Sequence, residues 1–408
     1  MITQKTLAVC LALCCGIACG QETSVPLDPV TVFRSGSDGY KVFRIPAIVT
    51  AANGDLLAFC EARQGGDASE IDLVLKRSSD QGKTWGGIEI VQPSDAFRSF
   101  YKDPSREISV GNPTPVVDHL DPEHAGRIWL PFTVENDRVF VTYSDDHGKT
   151  WAERVEVTDT VKKPEWGWYA PGPVHAIQLQ RGLNKGRMVV PCDHRLGDDG
   201  ADKGANGAHA ILSDDHGKSW RIGAVDDTYE DDLHGNETAV VELNDGRLYF
   251  NTRDQNGAAR GSRGEAFSSD AGASFDPSSV SAYQFFQPSP EILDPPVVQC
   301  SLLRAASTLN GDAHDLILFS GPDENGPSGK GRSDLRVRFS TDETSTWQDG
   351  PLIYAGPAAY SDMVRLDAIR YGVLFEAGQR SPYESIVFVV VTQSQLMTNE
   401  RAHDAQQP

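Results

Sequence analysis

A phrase of eight residues occurs twice, almost unchanged, in this chain of 408 residues, as SDDHGKTW at 144–151 and as SDDHGKSW at 213–220. In looser or decayed form it returns as SSDQGKTW from residue 78, SSDAGASF from residue 268 and STDETSTW from residue 340. Successive starts are 66, 69, 55 and 72 residues apart. A repeat of this length is longer than one hairpin and is typical of one β-propeller blade with its loops.

The chemistry of the phrase is that of a hairpin turn. Its Ser and Asp can hydrogen-bond to the turn backbone, its Gly can take a positive φ, and its final aromatic residue can pack beneath neighbouring strands. Because none of these roles needs a substrate, we assign the phrase to the scaffold. His147 and His216 fall inside two of the turns and are predicted to be exposed, and no spacing typical of metal ligands surrounds them.

The segments beside these turns have the pattern of β-strands. IDLVLKRS, RVFVTYS, AHAILS and LRVRFS each lead into a turn, and they alternate with a period of two and are rich in β-branched residues. No segment carries the long period of 3.6 residues that would indicate a helix. With about four strands per repeat, the sequence predicts an all-β fold, and its length fits a six-bladed β-propeller.

Charge and composition narrow the possible partners. The chain has 37 basic and 58 acidic side chains, which gives a formal net charge of −21. This charge argues against nucleic acid or an anionic membrane as a partner. An anionic small molecule stays possible only where a local basic pocket overrides the field of the whole chain. The hydrophobic content of 39% excludes a disordered chain.

The first twenty residues are typical of an export signal. Lys5 precedes the short apolar run 7–18, and small residues stand before Gln21, where cleavage would occur. The run is too short to span a bilayer, so no membrane span is predicted. Cys19 leaves open a lipoprotein signal in place of a simple secretory one. We therefore expect an exported protein that is secreted, periplasmic or held at the cell surface by a lipid.

This pattern predicts a signal peptide at 1–20, one propeller domain at 21–393 and a tail at 394–408. Outside the leader, the cysteines are Cys60, Cys192 and Cys300. Because they are odd in number and far apart, we predict buried free thiols rather than a disulfide framework.

Ahead of the repeated phrases stands VFRIPAIV at 42–49. An Arg-Ile-Pro phrase followed by several such turns at this spacing resembles the bacterial exo-α-sialidases (neuraminidases), over about residues 30–393. The resemblance implies a six-bladed propeller and a retaining exo-α-sialidase that hydrolyses terminal sialic acids. Its expected partners are sialylated glycans on glycoproteins, gangliosides or oligosaccharides. The resemblance implies no metal and no organic cofactor.

Sialic acid carries a carboxylate on its anomeric carbon, so a site that binds it needs fixed cations. Arginine suits this need because its planar fork binds a carboxylate through two hydrogen bonds and keeps its charge. The resemblance implies three such residues, Arg44 in FRIPA, Arg253 in YFNTRDQ and Arg332 in GRSDLRVRFS. Arg336 and Arg338 follow on the same predicted strand and stay open as alternatives to Arg332.

The same carboxylate bears on the choice of nucleophile. It would repel an attacking Asp or Glu, whereas it would not repel a neutral Tyr hydroxyl that is activated by a nearby carboxylate. The resemblance implies that Tyr360 in AAYSDM is this nucleophile and forms a covalent tyrosyl intermediate. It implies that Glu237 in GNETAVVEL is the base that activates Tyr360.

A general acid must protonate the leaving oxygen and then activate water in the second step. The resemblance implies Asp67 in ARQGGDASEID for this role, with the nearby Asp72 as an alternative that falls inside the next predicted strand. It also implies that Arg63 in EAR contacts a hydroxyl of the sugar ring. Glu376 in GVLFEAG is expected to orient Arg44.

The segment 165–179 concentrates Trp166, Trp168 and Tyr169 before a Pro-Gly-Pro turn. Aromatic faces of this kind either stack on sugar rings or pack in a core, and the sequence leaves both readings open. His194, at the polar end of a predicted buried strand, is a further candidate for the rim of the site.

Two other functions compete with hydrolysis. A trans-sialidase would pass the bound sugar to another sugar in place of water. A non-catalytic propeller that binds sialylated glycans would need no nucleophile or acid, yet Tyr360, Glu237 and Asp67 are all present. The residue pattern therefore favours an enzyme.

Overall fold

The computed structural model describes residues 27–197, 204–255, 257 and 260–397. The signal peptide predicted at 1–20 lies outside these residues, as does the predicted tail beyond residue 397. The described residues form 25 strands, with two α-helices and two 3-10 helices, all of them short. The prediction of an all-β fold is confirmed.

The first described strand is β1 (Val30–Arg34), and its partner is the last described strand. Next comes the first sheet, in which four antiparallel strands pair in chain order. Its strands are β2 (Val42–Thr50), β3 (Leu56–Arg63), β4 (Ile71–Ser78) and β5 (Glu89–Gln92).

The second and third sheets have five strands each. In each of them, two strands pair side by side with one long neighbour. The second sheet comprises β6 (Val110–Gly111), β7 (Val116–Asp118), β8 (Arg127–Val134), β9 (Arg138–Ser144) and β10 (Val155–Glu156). The third comprises β11 (Trp166–Pro171), β12 (Ile177–Gln178), β13 (Met188–Leu196), β14 (Asn206–Ser213) and β15 (Arg221–Val225).

The fourth sheet has four strands in chain order, and a terminal sheet has seven. The fourth comprises β16 (Gly235–Glu242), β17 (Leu248–Asp254), β18 (Arg263–Ser268) and β19 (Gln287–Pro288). The terminal sheet comprises β20 (Ser301–Ala306), β21 (Leu316–Pro322), β22 (Ser333–Ser340), β23 (Gln348–Arg365), β24 (Arg370–Ala377), β25 (Ser385–Thr392) and β1. Because β1 pairs with β25, one sheet joins the two ends of the described chain, and the arrangement is propeller-like.

The helices are minor elements of the structure. They are α1 (Thr158–Val161), α2 (Gln393–Met397) and the 3-10 helices Ser94–Phe100 and Thr308–Asn310. With four and five residues, neither α-helix is long enough to cross a bilayer. Helix α2 buries Leu396 in the core of the terminal sheet.

The sheets pack against each other on both faces. Every residue of β3, β8, β14 and β16 is buried, although their sequences include polar positions. A strand covered on both faces needs no polar side for water, which is why the alternation predicted from the sequence is not matched by alternating burial. The three cysteines of the described chain are buried and free, as predicted.

The repeated phrase forms the turn that its composition indicated. In the turn at residue 144, the Gly148 amide donates to the Ser144 hydroxyl at 2.8 Å. Thr150 donates to Asp146 twice, from its amide at 2.8 Å and from its hydroxyl at 2.6 Å. Gly148 has a φ of +78°, which a residue with a β-carbon adopts only with strain. Local hydrogen bonds therefore define each turn.

These turns also seal the contacts between neighbouring sheets. A β-carbon added at Gly148 would lie 2.6 Å from Leu57 of the first sheet, and one at Gly217 would lie 2.1 Å from the Trp129 ring of the second sheet. One at Gly82 would lie 2.0 Å from Phe388 of the terminal sheet. Each of these three turns thus packs on a sheet other than its own.

The prediction that His147 and His216 are exposed is wrong. Both are half-buried, because their turns lie against a neighbouring sheet. His216 Nδ1 lies 2.8 Å from Asp118 Oδ2 in the second sheet. Arg77 of the first sheet donates to the His147 carbonyl at 2.6 Å.

A glycine pair tests the sealing role of the turns. Gly217→Ala and Gly246→Ala both place a side chain at a similar positive φ, but only the first would crowd a neighbour, since a β-carbon at Gly246 would have no non-adjacent atom within 4 Å. We expect Gly246→Ala to cost about 1 kcal/mol from backbone strain. Gly217→Ala should cost roughly 1–3 kcal/mol more from overpacking on Trp129. Thermal unfolding of both variants measures the difference, and equal losses would contradict the proposed seal.

The acid stability of the same turns gives a second test. Partial burial alone would raise the pKa of Asp146, but hydrogen bonds from Thr150 and Ser144 lower it to about 2. A lowered pKa stabilises the fold above the usual Asp value of about 4, and that contribution is lost as the pH falls towards 2. Asp146→Asn should therefore melt below the wild type at pH 7, with a gap that narrows between pH 4 and pH 2. A gap independent of pH would exclude this origin.

Candidate active site

Three predicted site residues lie where strands depart from regular pairing. Pairing shifts between Arg44 and Ala47 in β2, across Glu237 in β16, and across Tyr360 in β23. Such bulges turn a side chain away from the direction that the ladder would give it. Here each bulge lies several residues before the end of its strand. Further along the same three strands, Ile48, Val241 and Met363 line a cavity of about 290 Å³. This cavity is separate from the candidate site, because its lining does not include Arg44, Glu237 or Tyr360.

Arg44 and Glu376 form a buried ion pair. Arg44 Nε lies 2.6 Å from Glu376 Oε1, and the Ile45 amide donates to the same oxygen at 3.0 Å. The Tyr360 amide donates to Glu376 Oε2 at 3.3 Å. Burial would lower the pKa of Arg44, but Glu376 and Tyr360 raise it overall. One fully buried carboxylate thus fixes both Arg44 and the backbone of Tyr360.

The bulge at Arg44 is strained. Ile45 has a φ of +60°, in the left-handed region that a β-branched residue enters only at a cost of about 1–3 kcal/mol. The hydrogen bond from its amide to Glu376 offsets part of that cost. Strain held in place by a buried carboxylate is typical of a functional site.

Tyr360, Glu237 and Arg253 form a second cluster. The Tyr360 hydroxyl donates to Glu237 Oε1, and Arg253 Nη1 donates to Glu237 Oε2 at 2.8 Å and to the Tyr360 oxygen at 3.2 Å. Burial and then the charge of Glu237 raise the pKa of Tyr360, while Arg253 and two further arginines oppose the rise. The phenol is therefore neutral, with a carboxylate placed to accept its proton.

Arg332 is the third arginine beside the phenol. Its guanidinium carbon lies 5.6 Å from the centre of the Tyr360 ring, and that of Arg44 lies 5.1 Å from it. Arg332 donates to the Tyr383 hydroxyl at 2.9 Å and to the Val297 carbonyl at 3.0 Å. Three guanidinium groups from distant parts of the sequence thus surround one tyrosine.

Arg336 and Arg338, the two alternatives to Arg332, pair with aspartates and not with Tyr360. Arg336 Nε donates to Asp323 at 2.6 Å, and Arg338, which is buried, pairs with Asp294, Asp323 and Asp349. Their charges are neutralised by acidic partners within the terminal sheet and the loops beside it. Arg332 alone of the three contacts the Tyr360 ring.

Asp67 and Arg63 meet at the open edge of the cluster. Arg63 is buried and donates from Nε to Glu61 at 2.8 Å, while its Nη1 donates to Asp67. The Asp67 side chain is 88% exposed. Desolvation would raise the pKa of Asp67, but Arg63, followed by Arg44 and Arg332, holds it below its usual range. As found here, Asp67 is therefore an ionised carboxylate that solvent can reach.

Asp72, the alternative to Asp67, has a structural position. It accepts a hydrogen bond from the Tyr40 hydroxyl at 2.6 Å and one from the Ser94 amide at 2.7 Å. Both oxygens are occupied by the surrounding fold. Asp67 is the carboxylate of the two that lies near the arginines.

Three residues near the site were missed in the sequence. Glu61 holds Arg63 and accepts from the Asn112 amide at 2.8 Å, Tyr383 lies 4.0 Å beneath the Arg44 guanidinium, and Asp193 is buried near Glu237. Glu61 could have been found, because it stands two positions before Arg63 on one face of the same strand. No local signal marks Tyr383 or Asp193.

Two of the aromatic candidates belong to the core. Trp166 and Tyr169 are buried in a hydrophobic cluster of the second and third sheets, which excludes them as a surface for sugar. The prediction that His194 approaches the rim is wrong. His194 stacks on Trp166 with ring centres 3.9 Å apart and bonds to the Tyr229 hydroxyl at 2.8 Å. Trp168 is half-buried, beneath the Arg195 guanidinium.

Among the residues that the structure describes, one group of side chains has the spacing of metal ligands, and it includes His216, for which the sequence had indicated no such spacing. Ligand atoms of Asp118, Asp121 and His216 lie within 4.8 Å of one another. Asp118 Oδ1 already accepts from the Leu120 and Asp121 amides, and its Oδ2 faces His216. These bonds account for the group as a link between the second and third sheets.

The site and the fold together define a propeller-like protein whose arginines fit a ligand carboxylate beside a tyrosine. A family model described as a BNR repeat-like domain matches residues 44–373. The chain belongs to this BNR repeat-like family, and its similarity to sialidases agrees with the resemblance seen in the sequence.

Relatives of known name agree with this placement. The chain is 30% identical over 355 residues to a sialidase of Micromonospora viridifaciens, and the match covers 84% of this chain and 51% of that protein. It is 28% identical over 383 residues to an exo-alpha-sialidase of Aspergillus fumigatus, with 83% and 79% covered. The solved Hadza microbial sialidase Hz136 superposes with a TM-score of 0.71 at 25% identity, covering 90% of this chain and 69% of that one. The chain thus spans about half the length of its Micromonospora relative.

Proposed function

We propose that this chain is an exo-α-sialidase that hydrolyses terminal sialic acids on glycoproteins, gangliosides or oligosaccharides. The observation that carries the proposal is the group of three arginines around Tyr360, whose hydroxyl bonds to Glu237. If those arginines hold the carboxylate of a sialic acid, its anomeric carbon lies next to the phenol oxygen of Tyr360. Relatives named as sialidases support the same reading.

The proposed first step is attack by Tyr360 on the anomeric carbon. A bond forms between the phenol oxygen and that carbon while the bond to the leaving oxygen breaks, and the phenol proton passes to Glu237. A neutral phenol avoids the repulsion that a carboxylate nucleophile would meet beside the carboxylate of the substrate. The covalent tyrosyl intermediate makes the overall reaction retaining.

Asp67 is proposed to act in both steps. It protonates the leaving oxygen in the first step. In the second step Asp67 takes a proton from the water that attacks the anomeric carbon, the bond between that carbon and the Tyr360 oxygen breaks, and Glu237 returns its proton to the phenol. Arg63, which contacts Asp67 here, is proposed to contact a sugar hydroxyl as well. These steps are proton transfers and displacements among side chains, so they require no metal and no organic cofactor.

We infer that the propeller has six blades. Two observations support this. Strands β2, β7, β12, β16, β20 and β23 contact one another in a closed succession, each beginning a hairpin series. Strand β23 pairs with β22 through its first half and with β24 through its second half, so the seven-stranded sheet divides into two blades of four strands.

We also propose that the chain is exported by the leader at 1–20. The apolar run and small residues of the leader support cleavage, and Cys19 supports lipid attachment as the alternative. Mass spectrometry of the mature protein separates these routes, because a lipidated chain would begin at a modified Cys19.

Removing the proposed nucleophile is the direct test of the function. Tyr360→Phe should lower kcat for a fluorogenic sialoside by about a thousandfold or more, because the covalent step is lost. Tyr371→Phe is the matched control, since Tyr371 is a buried tyrosine of the core with its hydroxyl 3.4 Å from a carbonyl. Unchanged activity in Tyr360→Phe would remove Tyr360 from its role. An inactive wild type would favour a glycan-binding protein, and sialyllactose as the main product in excess lactose would favour a transferase.

The proposed acid is tested by changing the leaving group. Asp67→Asn should lower kcat/KM, which reports the step up to departure of the leaving group, by about 10²–10⁴-fold for sialyllactose, because its sugar leaving group needs a proton. An aryl sialoside, whose leaving group is stable as an anion, should lose much less. Asp72→Asn serves as the control and should lower the melting temperature without changing the ratio of the two rates. Equal losses on both substrates would refute the assignment of Asp67.

A further inference from the structure

Glu237 lies in a segment that is not part of the regular pairing between β16 and β17. Pairing of β16 with β17 jumps from Gly235 opposite Asp254 to Thr238 opposite Thr252, which leaves Asn236 and Glu237 in a bulge. The proposed base must nevertheless present its carboxylate to Tyr360 within hydrogen-bond range. Some other contact has to fix the bulge.

Asn236 supplies that contact on its backbone and on its side chain. Its amide donates to the Thr252 hydroxyl oxygen at 2.9 Å, and its carbonyl accepts from the Thr238 hydroxyl at 2.6 Å. Its side-chain Nδ2 donates to Asp193 Oδ2 at 2.5 Å. The first two bonds stay within the fourth sheet, whereas the third reaches β13 of the third sheet.

We propose that Asp193 is a positioning residue, which holds Asn236 and thereby directs Glu237 towards Tyr360. This role rests on the proposed sialidase function, because it concerns the base of that reaction. Asp193 is completely buried in the middle of β13, so it cannot contact the substrate itself. It acts only through the bulge.

The surroundings of Asp193 favour its neutral acid form. Its Oδ1 is buried and has no hydrogen-bond partner within the described residues, and an anionic oxygen in that state is costly. Burial and then Glu237 raise the pKa of Asp193, while Arg195 and Arg253 oppose the rise. A neutral acid can accept from Asn236 without adding a second negative charge beside Glu237. An ionised Asp193 would repel the base that it positions.

The first test removes the hydrogen bond between Asn236 and Asp193 by replacing either residue. Asp193→Ala and Asn236→Ala should each lower kcat for a fluorogenic sialoside by about 10–100-fold, because a small misplacement of a reacting group costs this much. KM should change little, since the arginines are untouched. The double variant should lose no more than either single variant, because both act on one contact. Asp118→Ala, at a fully buried Asp between the second and third sheets, is the control that lowers the melting temperature and leaves kcat unchanged.

The second test uses the conservative variant. Asp193→Asn keeps an oxygen that accepts from Asn236, so it should restore most of the kcat that Asp193→Ala loses. It cannot ionise, so this rescue would show that an uncharged oxygen acceptor is sufficient. The variant also serves where Asp193→Ala fails to fold.

The outcomes separate this inference from the proposed function. A wild type that does not cleave the sialoside overturns the proposed function, and this inference falls with it. An active wild type with normal kcat in Asp193→Ala overturns the inference alone. Additive losses in the double variant, or an Asp193→Asn variant as slow as Asp193→Ala, would also overturn it.

Discussion

Hydrogen bonds to the carboxylate of Asp362 join several sheets at the centre of the fold. It is buried and accepts from the Ile48 amide at 2.9 Å, from His175 Nδ1 at 2.7 Å and from the Ser301 hydroxyl at 2.8 Å. Burial would lower the pKa of His175, but Asp362 raises it, so the two form a charge-assisted pair. Because Asp362 follows Tyr360 by two residues on β23, the bonds that join the sheets also fix the strand of the proposed nucleophile. Loss of a partner here would leave a buried charge unpaired.

Three of the strand irregularities around this centre lie at proposed site residues. Arg44, Glu237 and Tyr360 each lie at a bulge, and each bulge is held by a bond from another sheet or strand. Glu376 holds the first and the third, and the Asn236 side chain holds the second. A regular ladder would point these side chains into the packed faces between sheets. The fold therefore combines rigid strands with a few displaced residues, which a precise site requires.

Sequence reasoning succeeded where the cause was local. The turn phrase carries its own hydrogen-bond partners within five residues, so its conformation followed from its letters. Exposure did not follow, since His216 is covered by a sheet that lies about a hundred residues earlier. Trp166 and His194 were ambiguous for the same reason, because their environment comes from facing strands. Arg336 and Arg338 share a strand with each other and pair with Asp323, a partner that no spacing in the sequence identifies.

The state of Asp67 links the binding and the chemistry of the proposed reaction. Asp67 is held ionised by Arg63, and the charges of Arg44 and Arg332 lower its pKa further, although an acid must carry a proton to act. A substrate carboxylate bound between Arg44 and Arg332 would neutralise part of that positive field. The pKa of Asp67 would then rise as the substrate binds, which favours its protonated form when a leaving oxygen is near. The same arginines would thus select the substrate and prepare the acid, and an empty site would keep Asp67 as a carboxylate.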